Sequence, residues 1–333
     1  MNKKILVVAP HGIGDAIMTC EAINDLFEKS DCYFLVSDQV TSNLIEIITS
    51  TPKNNIFILK KGLNFRIIEI IRLFLRLLSY KFDASICQFG VSSAQYSLMT
   101  FLLMIPIRVG WGGTLSFLNT NNISAENKHK IEATRDIADC VSNKLNLFYS
   151  SNILKKIAQI NKHGNIILGI SSFEDEKHKR WSLDNFSELC KLIYRDFPDR
   201  KILLLGSRDE KNYADILVKM CPIPTLNNKC GHYSIGESCS IIRDAALVIA
   251  NCNAISHIAG YFGVPIIGLY GPTDPNITGP ISPVFIPIRA NISCAPCYSP
   301  RNNQGCSNPI CMDKIIPAKV YESVTKSLKS NEK

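Results

Sequence analysis

The sequence predicts an α/β protein with two parallel sheets. Short runs rich in Val, Ile and Leu alternate with helical patterns along the chain, which is typical of βαβ units. The alternation occurs in two series, separated by a polar stretch over residues 149–165. At 333 residues the chain also exceeds the length at which a single hydrophobic core stops growing, so we expect two domains.

The first series opens with an apolar run that ends at Pro10. This run is too short for a signal peptide, so it predicts a buried strand followed by a glycine turn. Regular alternation continues to about residue 146. We predict strands over 4–10, 32–37, 55–60, 83–89 and 107–111, and helices over 15–29, 64–80, 92–104 and 130–146.

The second series repeats the pattern and defines the second domain. We predict strands over 165–172, 201–207, 225–231, 246–251 and 265–271, and helices over 184–197, 209–220, 236–244 and 254–262. The expected domains are 1–158 and 159–333. The second domain includes a Cys-rich loop over 294–311 and a final helix over 317–329 that packs back toward the first domain. Ligands of such sheets bind beyond the carboxyl ends of the strands, where the loops should carry the chemistry.

Composition narrows the classes of function. Hydrophobic residues make up 46% and charged residues 20%, as in a folded globular protein. The net charge of +8 is compatible with a nucleic acid, a membrane surface or a phosphorylated small molecule, but no basic stretch has the interleaved aromatics of a nucleic-acid-binding motif. No apolar run reaches the roughly 18 residues of a membrane span, so we expect a cytoplasmic protein whose 13 cysteines are reduced or bind metal.

The first loop, Gly12-Ile13-Gly14-Asp15, is not a dinucleotide fingerprint. The third glycine position is Ile17, and only Asp38 follows the second strand as a candidate ribose-binding acid. What remains is a glycine turn that places Asp15 at the start of a helix. Asp15 is therefore either a helix cap or a carboxylate that faces a cleft between the domains.

Loops of the second domain carry further candidates. Ser171 and Ser172 end a strand and precede the basic residues Lys177, Lys179 and Arg180. Together these residues form either a binding site for a diphosphate or a run of solvated charges.

Glu210 follows the next strand, where it is either a ribose-binding acid or an ordinary acid at a helix start. Ser234 and Glu237 have the spacing of a capping box, and His257 by itself is typical of a structural histidine.

Two features near the domain surfaces leave alternatives open. Cys294, Cys297, Cys306 and Cys311 have spacing that suits either a tetrathiolate zinc or iron site or free thiols. Segment 65–81 reads either as an amphipathic crossover helix or as an interfacial helix that approaches anionic lipid.

Taken in order, these pieces resemble the glycosyltransferases of family 9, the heptosyltransferases that build the inner core of lipopolysaccharide. The resemblance rests on "GIGDAI", "YKFDASICQFG", "KRWSLDNFSEL", "LLLGSRDE", the stretch from "CGHYSIGE" to "YGPTDP", and the trailing cysteines. It implies the GT-B fold, in which two Rossmann-like domains face a central cleft. It also implies an inverting transferase that needs no cofactor for catalysis and moves a sugar, such as the heptose of ADP-heptose, to a lipopolysaccharide-core or other saccharide acceptor.

The resemblance also implies roles for individual residues. Asp15 matches the general base, Lys179 the lysine on the donor phosphates, and Glu210 the acid on the ribose. Displacement of a nucleoside diphosphate needs such a base on the acceptor hydroxyl and a cation on the departing phosphates. The acceptor-side loop contains His11, Gly12 and Gly14. The expected donor-binding residues are Ser171, Ser172, Lys177, Glu210, Asn251, Cys252, Asn253, Ala254, His257, Gly271 and Thr273.

One motif departs from the family pattern. The family carries Asn-Asp-Ser/Thr-Gly before a helix, whereas this chain has Asn251-Cys252-Asn253-Ala254, and a thiol is a poor hydrogen-bond acceptor. Alternative functions are therefore a transferase with another nucleotide-sugar donor or a protein acceptor, or a non-catalytic GT-B binding protein. Lys177 also competes with Lys179 for the phosphate role. A lipid-linked acceptor would place the enzyme at the cytoplasmic face of the inner membrane.

Overall fold

The computed structural model describes residues 2–9, 12–59, 67–88, 93–124, 128–147, 158, 161–172, 174–297 and 306–330. The chain divides into two compact units, Met1–Leu154 and Lys155–Lys333. Each unit contains a six-stranded parallel sheet with helices on its faces.

The first unit follows the predicted alternation. Its strands are β1 (Lys3–Val8), β2 (Ser30–Val36), β3 (Ile56–Ile58), β4 (Ala84–Cys87), β5 (Ile107–Gly110) and β6 (Asn121–Asn122). Its helices are α1 (Ile13–Ala22), α2 (Gln39–Thr49), α3 (Ile67–Ser79), α4 (Ser93–Leu102) and α5 (Lys130–Leu145). The strand order is β3-β2-β1-β4-β5-β6.

Strand alternation divides the core of this unit between two faces of the sheet. Leu6 and Val8 of β1 join Tyr33, Leu35 and Phe57 in one cluster, which α3 and α4 cover. Because successive strand residues point to opposite faces, Ile5 and Val7 are buried on the other face. There α1 contacts both α2 and α5.

The second unit repeats this winding. Its strands are β7 (Ile166–Gly169), β8 (Ile202–Leu204), β9 (Leu226–Asn228), β10 (Leu247–Asn251), β11 (Ile266–Leu269) and β12 (Phe285–Ile288). Its helices are α6 (Leu183–Asp196), α7 (Lys211–Met220), α8 (Ile235–Arg243), α9 (Ala254–Tyr261), α10 (Pro275–Thr278), α11 (Ile310–Asp313) and α12 (Pro317–Ser330). The strand order is β12-β11-β10-β7-β8-β9. Counted from the opposite edge, it is the order of the first sheet with β7–β12 in the places of β1–β6.

This order creates a topological switch point in each sheet. From β1 the chain adds β2 and β3 toward one edge of the sheet, and from β4 it adds β5 and β6 toward the other edge. The neighbouring strands β1 and β4 therefore have a crevice between them at their carboxyl ends. Strands β7 and β10 do the same in the second sheet. Such crevices are where open α/β sheets bind ligands.

Trp181 anchors the core of the second unit. Its side chain is fully buried, its ring meets Phe186 edge-on at 4.9 Å between centroids, and its Nε1–H donates to the carbonyl of Ile315 at 2.9 Å. Helix α12 packs on α6, β10 and β11 of the same unit. Its expected approach to the first domain stays a prediction.

The structure confirms each predicted strand, shortens one predicted helix and adds α2, α10 and α11. The expected helix over 15–29 ends at Ala22 and continues as a short 3-10 turn, Asn24–Glu28. Helix α2 was not predicted, although Asp38 marks its start by accepting the backbone N–H of Thr41 at 2.8 Å. Strands β6 and β12 were also missed. Within the ranges described, no helix is both long and apolar enough to cross a membrane.

Candidate functional site

Asp15 lies at the switch point of the first sheet. It is in the first turn of α1, directly beyond β1, and Gly12 holds the cap position with a φ of 91° that favours glycine. Asp15 is therefore not the helix cap, although an acid in the first turn is favoured by the helix dipole. Its side chain is 26% exposed, so the carboxylate is accessible to solvent.

A lysine that sequence reasoning missed holds this carboxylate. The Nζ of Lys130 donates to Oδ1 of Asp15 at 3.0 Å, and the lysine side chain is only 15% exposed. Lys130 is the first residue of α5, where His129 caps the helix by accepting the backbone N–H of Ile131.

Gln88, which the sequence did not indicate as a site residue, connects the central strands β1 and β4 at this position. It follows β4 directly, and its Nε2 donates to the backbone carbonyl of Asp15 at 2.8 Å. Its backbone N–H donates to the carbonyl of Val8 at the end of β1. The local backbone of Asp15 is thus fixed by the neighbouring strand. Gly14 lies in the same turn of α1, whereas His11 lies outside the described residues.

The end of β7 forms one side of the second switch point. Ser171 and Ser172 are both buried there. The hydroxyl of Ser172 donates to the carbonyl of Glu176 and accepts from Nε of Arg180, which folds the following basic loop back onto the strand end.

The two competing lysines of this loop differ in burial. Lys179 is 5% exposed and its ammonium forms an ion pair with Glu176. Lys177 is exposed. The loop is therefore folded rather than a solvated charge run, and it places one buried cation near the end of β7.

The other side of this switch point is the predicted Asn251–Ala254 motif. The side chain of Asn251 is fully buried: its Nδ2 donates to the carbonyl of Ile170 and its Oδ1 accepts from the backbone N–H of Trp181. Asn253 caps α9 and donates to the carbonyls of Gly169 and Ser171, both at 3.0 Å. Both asparagines therefore bind β10 to the end of β7.

Three other predicted donor residues lie beside this motif. Cys252 is partly exposed, and its Sγ lies 3.9 Å from Oγ1 of Thr278. Ala254 begins α9 and is also partly exposed. His257 is buried in α9, where it makes an interaction within the protein.

Glu210 is engaged in a capping box. Its Oε2 accepts the backbone N–H of Ser207 at 2.5 Å in the turn that precedes α7. Glu237 makes the predicted box with Ser234 at the start of α8, where Oε2 accepts the Ser234 N–H at 2.7 Å. The same device thus occurs twice in the second unit.

Thr273 and Gly271 follow β11. Thr273 is 2% exposed, and within the described part of the chain its Oγ1 has no hydrogen-bond partner. A buried hydroxyl without a partner is costly, so this atom is suited to a ligand. A Cβ at Gly271 would lie 2.5 Å from Sδ of Met312 and 2.8 Å from Sγ of Cys311, so only glycine fits.

The cysteines lie on the segment that packs against this turn. The backbone N–H of Cys297 donates to the carbonyl of Pro272 at 2.9 Å, and Cys311 is buried at the start of α11. Burial raises the pKa of Cys311, as does the proximity of Cys297. Cys294, Cys297 and Cys306 are exposed, and among the residues described no three metal-ligating side chains converge. The cysteines therefore do not form a ligand set in this structure.

Comparison with known proteins identifies relatives. The sequence profile of "Glycosyltransferase family 9 (heptosyltransferase)" matches residues 70–307. Lipooligosaccharide heptosyltransferase 2 of Haemophilus influenzae is 26% identical over 107 residues, which is 31% of this chain and 30% of that relative. The chain thus matches less than a third of the length of this curated relative.

Solved structures extend the likeness to the whole fold. The E. coli ADP-heptose lipopolysaccharide heptosyltransferase II superimposes with a TM-score of 0.73 at 18% identity, covering 99% of this chain and 100% of that one. The iron-containing dodecameric glycosyltransferase TibC of E. coli gives a TM-score of 0.59 at 12% identity, covering 99% and 77%. At these identities the likeness shows the fold, and the predicted GT-B fold is confirmed.

Proposed function

The chain belongs to glycosyltransferase family 9, and from this premise we propose that it transfers a sugar from a nucleotide donor to a saccharide acceptor with inversion. The proposed donor is ADP-heptose, the compound in the name of the structurally similar E. coli enzyme. The proposed acceptor is a lipopolysaccharide-core or other lipid-linked saccharide at the cytoplasmic face of a membrane.

The position of Asp15 is the observation that carries this proposal. A partly exposed carboxylate lies at the switch point of a Rossmann-like sheet, and its backbone is fixed by a hydrogen bond from Gln88. We propose that this carboxylate removes the proton from the acceptor hydroxyl. The oxygen attacks the anomeric carbon from the side opposite the diphosphate as its proton passes to Asp15. The bond from this carbon to the diphosphate oxygen breaks, the nucleoside diphosphate leaves with the electron pair, and the configuration is inverted.

The second unit supplies the proposed donor site. The buried Lys179 ammonium is suited to the diphosphate, because a cation in a desolvated position stabilises the charge that develops on the leaving group. Ser171 follows β7 and Thr273 follows β11, on either side of β10, and their hydroxyls complete the proposed phosphate contacts. Glu210 is the proposed partner of the ribose hydroxyls. Asn251 and Asn253 position the strand ends through hydrogen bonds within the protein, and their contact with the donor stays a prediction.

Cys252 supports a second candidate, a transferase with another nucleotide sugar. Its thiol lies next to Thr278 and offers the donor no carboxylate. Thermal shift with ADP-, GDP- and UDP-sugars separates the candidates, because a donor at 100 times its Kd stabilises the protein by about 2.7 kcal/mol. Stabilisation by a GDP- or UDP-sugar in preference to ADP-heptose would favour the second candidate. Binding of ADP-heptose without transfer would favour a non-catalytic binding protein.

A structural metal at the four cysteines stays a separate prediction. Elemental analysis of the purified protein tests it, and a tetrathiolate site requires about one equivalent of zinc or iron per chain. The proposed transfer has no step that runs through this metal.

Replacement of Asp15 tests the reaction. We expect Asp15→Asn to lower kcat by about 10²- to 10⁴-fold, the usual contribution of a general base, with unchanged circular dichroism and unchanged affinity for ADP. Asp25→Asn is the matched control, because this acid lies on the turn just after α1. Turnover by Asp15→Asn within a few fold of the native enzyme would show that Asp15 is not the base.

A further inference from the structure

Helix α3 exposes apolar residues along its outer side. Ile68 is 58% exposed, Ile71 50% and Leu75 58%. Their spacing of three and four residues places them on one stripe of the helix. A surface helix normally turns such a stripe toward the core and presents polar residues to water.

The inner side of α3 is packed on the core of the first unit, so the stripe stays exposed even though the helix is in its folded position. Leu77 is buried in the cluster that contains Phe57, and Leu73 and Phe74 pack against that cluster. The helix is therefore the crossover between β3 and β4 that the sequence predicted. In addition to the apolar residues that pack on the core, the helix has apolar residues on its outward face.

Helix α4 has the same property on the same face of the sheet. Leu98, Phe101 and Leu102 are 45%, 47% and 52% exposed, while Tyr96 and Leu103 are buried in the cluster that α3 also covers. We define the apolar face as the exposed side chains of the two helices, namely Ile68, Ile71, Leu75, Leu98, Phe101 and Leu102. An exposed apolar group of this size marks an interaction surface.

The charges on and around this face are positive. No residue from Ala84 to Ile107, a stretch that includes α4, carries a charge. Along α3 and just after it, Arg72, Arg76 and Lys81 are exposed, although the guanidinium of Arg76 lies over the ring of Phe57 at 4.9 Å. The helix itself contains one acid, Glu69. The sequence just before α3 adds Lys60, Lys61 and Arg66.

We propose that the apolar face docks on an anionic phospholipid surface. Ile and Leu side chains enter the headgroup boundary, and the flanking arginines contact lipid phosphates, which is the combination used by interfacial helices. In this arrangement the helices lie along the membrane surface. The proposal does not rest on the transfer reaction, since the residues of this face are not those of the candidate site.

Co-sedimentation of the full chain with lipid vesicles tests the proposal. We expect binding to vesicles of phosphatidylglycerol and phosphatidylethanolamine, and much weaker binding to phosphatidylcholine alone. Ile71→Glu and Leu75→Glu should each lower the affinity at least about tenfold, because a buried aliphatic contact is replaced by a charge. Arg72→Gln should lower it about fivefold on anionic vesicles and hardly at all on neutral ones.

Two controls separate this proposal from its alternatives. Ile216→Glu alters an isoleucine of α7 that is 48% exposed in the second unit, and it should bind vesicles like the native protein. Asp15→Asn should bind normally whether or not Asp15 is the base. Equal binding by Ile71→Glu and the native protein would overturn the proposal. So would a lipid-free dimer in sedimentation velocity that Ile71→Glu dissociates, because the occupant would then be a second copy of this chain.

Discussion

At the scale of single residues, the contact between Asp15 and Lys130 is the feature with the most direct chemical consequence. The ammonium holds one carboxylate oxygen at 3.0 Å, while the side chain of Asp15 keeps 26% of its surface exposed. A base must be held within a few tenths of an ångström of its working position. We therefore infer that Lys130 positions the carboxylate for the proposed proton transfer.

Replacement of Lys130 tests this positioning role. We expect Lys130→Met to lower kcat by about ten- to a hundredfold with little change in donor KM, because the carboxylate is less well placed. Lys130→Arg should restore part of the rate.

Lys128→Met is the matched control. That lysine pairs with Asp136 near the start of the same helix, but it is exposed, so activity should not change. A loss of stability in Lys130→Met without any loss of kcat would show a purely structural role.

The twin capping boxes allow the proposed ribose contact to be tested apart from helix capping. Glutamine still completes a capping box, so Glu210→Gln removes the negative charge and keeps the turn. We expect this variant to bind ADP about tenfold more weakly, since one charge-assisted hydrogen bond becomes neutral. Isothermal titration calorimetry gives the affinity.

Glu237→Gln makes the same change at α8 and should bind ADP normally. The backbone N–H of Ser234 lowers the pKa of Glu237, so the stability from this acid is present above its unfolded pKa and fades as pH falls through the folded value. The Glu237→Gln variant should lose that pH dependence. Equal loss of ADP affinity in both variants would contradict a specific role for Glu210.

At the scale of elements, Asn251 fastens the end of β10 to the end of β7. Both ends of its amide are used, by the carbonyl of Ile170 and by the backbone N–H of Trp181. We expect Asn251→Ala to lower the free energy of unfolding by about 2–4 kcal/mol, because two buried backbone groups lose their partners. Urea unfolding followed by tryptophan fluorescence measures the change. Asn291→Ala, at an exposed position, should leave the urea midpoint unchanged.

Most of the elements were predictable because hydrophobic patterning is local. A buried parallel strand such as β10 is a continuous apolar run, and the helices between strands show the 3.6-residue period. Helix α2, which Asp38 caps, was missed because its sequence QVTSNLIEIIT is rich in β-branched and small polar residues that are weak helix formers. Strand β6 was missed because it consists of two asparagines, a residue type depleted in strands, and β12 because Pro287 interrupts its apolar run, which is compatible only with an edge strand.

The candidate site was predictable only in part, for a different reason. Asp15 follows a strand of the first sheet and Ser171 and Thr273 follow strands of the second, and parallel topology places the carboxyl ends within each sheet at one edge. Lys130 and Gln88 contact Asp15 across 115 and 73 positions of sequence, and no local pattern encodes such contacts. The capping role of Asn253 was likewise not foreseen, although Asn at the start of a helix is a strong signal for it.

At the scale of the whole molecule, the two units have separate cores and the same strand order, but different proposed ligands. Hydrogen exchange with and without saturating ADP tests the division. We expect slower exchange in peptides that contain the ends of β7, β10 and β11, because the nucleotide stabilises the unit that it contacts. Peptides around α1 should be unchanged. Protection confined to the first unit would contradict the assignment of the donor to the second.

The strand order of the first sheet also determines how long β1 must wait for its second partner strand during synthesis. Val8 pairs with Cys87 on one side, and this partner is synthesised between about 4 and 16 s later at ordinary translation rates. Until then one flank of β1 has open backbone donors and acceptors, a template for wrong strand pairing. The nascent chain therefore has an unpaired strand edge, open to wrong contacts, while the second half of this sheet is still being made.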